Sequence, residues 1–157
     1  MNYENLTPVI GTIVNITDSD CCSRMLTIRA EEGVVNFIVD EQTWVIDCMQ
    51  LRPGMRLAAF YDSSQPVPLI FPPRYRARLA AVLDRNQQIM LNYFNRALLA
   101  EDNSLQLNIA PNTRMQTING QPFSCCIGGR TLLVFYTATT RSIPPQTTPE
   151  KVVVMCG

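Results

Sequence analysis

Val35-Asn36-Phe37-Ile38-Val39 and Leu105-Gln106-Leu107-Asn108-Ile109 decide the fold. In each run every second residue is a large apolar one, the period of a strand with one face on a core. The core faces are expected to carry Val35, Phe37 and Val39 in the first run and Leu105, Leu107 and Ile109 in the second. The two runs are 70 positions apart, and so are Thr43 and Thr113. Further along, Gly54, Phe60 and Tyr61 recur as Gly129, Phe135 and Tyr136 at an offset of 75, and Pro72-Pro73 recurs as Pro144-Pro145 at 72. One such match is expected by chance, but their shared order predicts an internal duplication. Its two length changes fall in loops, near Asn119-Gly120 and between Tyr61 and Pro72.

The segments around these runs read as short strands. In the first repeat they are residues 9–16, 24–29, 34–39, 55–62 and 75–83, separated by Glu31-Glu32-Gly33, by Arg52-Pro53-Gly54 and by a proline-rich connection over 63–73. In the second they are residues 89–94, 105–109, 130–137 and 151–156, with Asn119-Gly120 as a turn. Residues 76–100 also admit a helix, because Leu79, Val82, Leu83, Met90, Tyr93, Phe94, Ala97 and Leu98 fit a helical face. Strand is the preferred reading, since the repeat aligns 75–83 with the β-branched run around Val152. The expected fold is therefore all-β: two tandem five-stranded OB-like small barrels from an internal duplication, at residues 8–74 and 75–157.

Composition narrows function by exclusion. The chain has 157 residues, 46% apolar and 17% charged, with thirteen basic residues against thirteen acidic ones and no histidine. These values exclude a disordered chain, a coiled coil and a bulk polycation. Without histidine there is no Ser-His-Asp or Cys-His hydrolysis and no His-bearing zinc site. The neutral total hides an asymmetry. Residues 1–70 hold nine acids and four arginines, and residues 71–157 hold four acids and nine basic residues. The opposed halves suggest that the barrels pair with each other, or that two chains associate as a homodimer. No run is long and apolar enough for a membrane span, and Met1 to Thr7 is polar and acidic, so a cytoplasmic protein without membrane association is expected.

Two constellations stand out. Arg74, Arg76 and Arg78 alternate with Tyr75, Ala77 and Leu79, which on a strand puts three guanidinium groups on one face. One reading is an anion or single-stranded nucleic-acid groove, in which arginine holds phosphate and Tyr75, Tyr93 and Phe94 stack bases. The other is the solvent face of an amphipathic strand. The second constellation is Cys21-Cys22 and Cys125-Cys126. No C-x2-C knuckle is present, so buried or incidental thiols are expected, with a redox or metal site on these four as the alternative. Asp18-x-Asp20, Asp40-Glu41 and Glu101-Asp102-Asn103 read as turns rather than calcium loops. Trp44 reads as a partly buried packing residue.

The blocks from Phe37 to Tyr75 (Thr43, Leu51, Gly54-Met55, Phe60-Tyr61, Pro72-Pro73) and from Tyr93 to Val154 resemble an uncharacterised family of small all-β proteins from anaerobic Gram-positive bacteria. Leu105 to Ile109 and Thr140-Arg141-Ser142-Ile143-Pro144-Pro145-Gln146-Thr147-Thr148-Pro149 carry the resemblance most distinctly. Some members of that family sit beside an extracellular stalk module named after a copper amine oxidase. The resemblance implies an OB-like fold and no activity, cofactor or site residue. The expected function is a non-enzymatic binding or protein-interaction module without a cofactor. Weak single-stranded nucleic-acid binding through Arg74, Tyr75, Arg76 and Arg78 is the first alternative, and a thiol- or metal-dependent protein is the second.

Overall fold

The computed structural model describes residues 3–156. The described residues are nearly all strand and loop, with one 3-10 turn at Ile46–Cys48. No helix among them is long and apolar enough to cross a membrane. The segment that admitted a helix is strand, turn and strand.

The chain divides into two compact units between Arg85 and Asn86. The first contains β1 (Leu6–Asp20), β2 (Ser23–Ala30), β3 (Gly33–Val39), β4 (Trp44–Val45), β5 (Arg56–Asp62), β6 (Arg74–Arg76) and β7 (Leu79–Val82). They form one sheet in the order β4-β7-β5-β1-β2-β3-β6. A boundary at 74/75 would cut this sheet. Tyr75 pairs with Phe37, and Ala80 pairs with Ala59, so the stretch after residue 74 belongs to the first unit.

The long first strand is shared. Leu6 to Thr12 pairs with β5, and Gly11 to Asp20 pairs with β2. At the overlap a Cβ on Gly11 would lie 2.4 Å from the Arg29 carbonyl oxygen, so only glycine permits this approach. The core of the unit includes Ile13, Leu26, Ile28, Phe37, Leu57, Ala59 and Ala80.

The second unit contains β8 (Gln88–Phe94), β9 (Gln106–Leu107), β10 (Arg114–Thr117), β11 (Arg130–Tyr136), β12 (Gln146–Thr147) and β13 (Lys151–Val154). Four form a sheet in the order β10-β13-β11-β8, and β12 pairs with β9. Single bridges, Phe94 with Ala100 and Leu99 with Gln106, connect β8 to β9 through residues 99–100. Phe94, Ala100, Leu105, Leu107, Leu132, Val134, Val152 and Val154 belong to its core.

The pairings of the two units correspond. β3 runs parallel to β6 with Phe37 opposite Tyr75, as β9 runs parallel to β12 with Leu107 opposite Thr147. β4 runs parallel to β7 with Trp44 opposite Leu79, as β10 runs parallel to β13 with Arg114 opposite Lys151. In the antiparallel pairs, Leu57 faces Val82 and Leu132 faces Val154. The offsets of 70, 75 and 72 in the sequence therefore reappear as strand register. Phe71-Pro72 and Ile143-Pro144, 72 positions apart, are both cis.

A threonine joins the layers in the same way in each unit. The Thr43 amide donates to the Asp40 carbonyl (3.1 Å), the Asp40 amide donates to Thr43 Oγ1 (3.1 Å), and that hydroxyl donates to the Ala77 carbonyl (2.7 Å). Thr113 repeats the three bonds with Ala110 and Pro149 at 3.0, 3.2 and 2.8 Å.

The ladders are not closed into barrels. The first sheet ends on β4 and β6. The stretch 74–82 is interrupted at Ala77-Arg78, so β6 pairs on β3 while β7 pairs on β5. The turn before Thr43 splits β3 from β4 likewise. The charge asymmetry also shrinks once the division falls after Arg85. Arg74, Arg76, Arg78 and Arg85 move to the first unit, which then has ten acids against eight arginines, and the second has three acids against five basic residues.

Candidate binding groove

The alternation predicted for residues 74–78 holds over its first four positions. Arg74 and Arg76 are exposed, Tyr75 is half-buried and Ala77 is buried. At Arg78 the backbone turns to other partners. Its amide donates to the Phe60 carbonyl (2.8 Å) and its carbonyl accepts from the Trp44 amide (3.0 Å). This anchors the strand where it passes from β3 to β5.

Arg74, Tyr75, Arg76 and Arg78 line one groove of ≈ 430 Å³. Across from them stand Tyr61 and Asp62 from the end of β5, and Pro66, Val67 and Pro68 from the proline-rich strap. The groove lies past the end of the β5–β7 ladder: β7 follows β5 only from Leu57 to Phe60, so Tyr61 and Asp62 have no β7 partner.

The floor is aromatic. Tyr61 and Tyr75 stack with ring centroids 4.0 Å apart and planes 12° from parallel. Phe37 supports both from the core at 6.4 and 5.6 Å. Burial, then the neighbouring Tyr75, pushes the Tyr61 phenol above its ordinary value, so it is a neutral hydrogen-bonding group at physiological pH.

The arginines are not equivalent. Arg76 Nη1 lies 3.1 Å from Asp40 Oδ2, whose side chain is 8% exposed. It neutralises a nearly buried carboxylate and ties β6 to the end of β3. Among the described residues Arg74 and Arg78 make no salt bridge. Asp62 keeps its charge below the ordinary carboxylate range, chiefly because the Ser64 side chain and then the Ser64 amide donate to it. The groove is thus cationic on the β6 side, with one carboxylate facing it.

A second recess of ≈ 510 Å³ shares Tyr61 and Tyr75. Its wall carries Glu31, Glu32, Val34, Phe71 and Pro73. The two recesses thus share the tyrosine pair, with arginines lining one and two glutamates lining the other. Along the strap Leu69 and Phe71 are almost wholly exposed.

Sequence reading found the arginines and Tyr75 but missed Tyr61, Asp62, Glu31 and Glu32. The recurrence of Phe60-Tyr61 marked that strand, but nothing local shows that Tyr61 meets Tyr75. Tyr93 and Phe94, expected as its aromatic neighbours, lie in the second unit, where Phe94 is core and Tyr93 is exposed. Trp44 is 44% exposed, and its backbone pairs with Leu79 of β7.

The cysteines do not assemble. Cys21-Cys22 turn the β1–β2 hairpin and Cys125-Cys126 lie before β11. All six cysteines are exposed and none is in a disulfide, so of the buried and incidental readings it is the buried one that fails. Among the described residues no three Cys, Asp or Glu side chains are grouped to hold a metal.

The corresponding face of the second unit is built from Gln146, Thr147, Thr148 and Glu150. Thr147 is buried and donates to the Ala138 carbonyl, and Gln146 accepts from the Asn108 amide group at 3.0 Å. No family model, no curated protein and no solved structure matches the chain.

Proposed function

We propose that the chain is a non-enzymatic binding module of two OB-like units that arose by duplication, and that the groove of the first unit binds an anion-bearing protein partner. The fold reading is supported by the strand path. Five stretches, 6–20, 23–30, 33–45, 56–62 and 74–82, run in the order of a partly open Greek-key barrel, with 74–82 pairing through β6 on β3 at one end of the sheet and through β7 on β5 towards the other. The family resemblance and a cytoplasmic, soluble protein belong to the same proposal.

One observation carries the binding reading. Arg74 and Arg78 are cations without a salt bridge among the described residues, with the Asp62 carboxylate near Arg78, beside a preformed aromatic floor. Preformed concave sites with a few convergent polar groups are the usual geometry of recognition. Single-stranded nucleic acid is the second reading, favoured by the arginine–tyrosine combination and opposed by Asp62 at the same mouth.

The test is retention at low salt on two immobilised polyanions, poly-glutamate and oligo-dT, with the wild type and an Arg74/Arg78→Ala variant that keeps Arg76 on Asp40. Retention that is lost in the variant and falls with salt supports an anion groove, and the matrix that retains the protein identifies the chemistry. Passage of the wild type through both columns at low salt overturns the reading.

A further inference from the structure

The groove reading leaves the second recess unexplained. Both openings share the Tyr61–Tyr75 floor. Arg74 and Arg78 stand at one, while Glu31 and Glu32 stand at the other, in the tight turn between β2 and β3. Both glutamates are exposed, and neither makes a salt bridge among the described residues. A polyphosphate strand laid along the floor would meet two carboxylates at its far end, a like-charge contact that costs affinity. A uniformly cationic segment meets the same obstacle at the arginine end. Only a ligand whose charge changes sign along its length satisfies both openings.

Resting on the groove reading, we propose that the occupant is an extended peptide segment of a protein partner, with a carboxylate side chain for Arg74 and Arg78 and a lysine or arginine for Glu31 and Glu32. Three further features fit a peptide. The cleft lies past the end of the β5–β7 ladder, and β6 ends the sheet, so backbone there is open to strand addition. The floor between the charged ends is tyrosine and proline, which suits short apolar side chains. Leu69 and Phe71 on the strap add exposed apolar surface beside it. In the second unit the positions of Arg74 and Arg78 hold Gln146 and Glu150, so the cationic mouth is not repeated there.

The experiment is fluorescence anisotropy on the full chain with labelled probes at low salt. The probes are a decapeptide with two glutamates at one end, two lysines at the other and an alternating Thr-Val middle, made in both directions. Controls are the same peptide with glutamates at both ends or lysines at both ends, and dT10. The proteins are wild type, R74Q/R78Q and E31Q/E32Q, with Arg76 kept because it holds Asp40.

One direction of the mixed-charge peptide is expected to bind about fivefold more tightly than either single-sign peptide, and each double variant to weaken it about fivefold, the size of one lost exposed charge contact. Two results overturn the proposal while sparing the anion groove: dT10 or the glutamate-ended peptide binding as well as the mixed peptide, or E31Q/E32Q leaving the mixed peptide unaffected. No binding of any probe, or no effect of R74Q/R78Q on any, overturns the groove reading with it. Unchanged thermal melts of both variants confirm that binding, not folding, was altered.

Discussion

Residues 74–78 and 146–150 occupy corresponding places in two units that share strand register. In the first, Arg74, Tyr75, Arg76 and Arg78 line an open groove. In the second, Gln146, Thr147, Thr148 and Glu150 are absorbed into local hydrogen bonds or left exposed. The backbone frame is satisfied either way. The threonine bonds, the parallel pairing of Phe37 with Tyr75 or Leu107 with Thr147, and the proline turns are all present without arginine. So the pairing frame does not require the guanidinium groups. That separates what holds the fold from what dresses it, within one chain.

The cores show the same frame filled differently. Phe37, Ala59 and Ala80 in the first unit correspond to Leu107, Val134 and Val152 in the second. A larger side chain on β3 faces smaller ones on β5 and β7, and the balance is reversed in the partner unit, as close packing requires. The largest effect is expected here. Phe37→Ala should cost about 3–5 kcal/mol. Phe37→Leu should cost less, and adding Ala59→Val and Ala80→Val should recover part of it. Urea unfolding of the single and combined variants checks this; a combined variant weaker than Phe37→Leu alone breaks the volume correspondence.

Next in size are the threonines. Thr113→Val removes a buried hydroxyl that donates to the Pro149 carbonyl and accepts from the Ala110 amide, and should cost about 1–3 kcal/mol. Thr43→Val removes the same bonds at a less buried site and should cost less, about 1 kcal/mol. The comparison is sharpened if the order holds in thermal melts and broken if either hydroxyl is without effect.

How much of this was legible follows from how local each feature is. The β1, β2, β3, β5, β8 and β11 strands were readable because alternation and β-branching are local. The correspondence of the units was readable because Thr43 and Thr113, and the double prolines, sit where the frame needs them. Open ladders were not, since the break at Ala77-Arg78 depends on which neighbour each half meets. Arg74, Tyr75, Arg76 and Arg78 were found as a pattern, but Tyr61 joins them only through the pairing of β5 and β3 with other strands. Glu31 and Glu32 looked like turn chemistry, which they also are.

A smaller effect concerns two carboxylates that use one device in different loops. Asp62 is held below its ordinary pKa mainly by the Ser64 hydroxyl, and Asp102 mainly by the Ser104 hydroxyl. For a depressed carboxylate, the stabilising contribution is present above the unfolded value of about 4 and is lost as pH falls through the folded value. Ser64→Ala should therefore raise the Asp62 pKa and leave Asp102 unchanged, and Ser104→Ala should do the reverse. Carboxyl carbon NMR titration reads both.

The central claim is that one frame is used twice and only the first copy is dressed to bind. The most direct measurement is an amide-resolved NMR titration of the full chain with the mixed-charge decapeptide. The account predicts shifts at Tyr61, Asp62 and Arg74 to Arg78 on one side and at Glu31 and Glu32 on the other, with Gln146 to Glu150 unmoved. Equal shifts at Gln146 to Glu150, or none at Arg74 to Arg78, would contradict it.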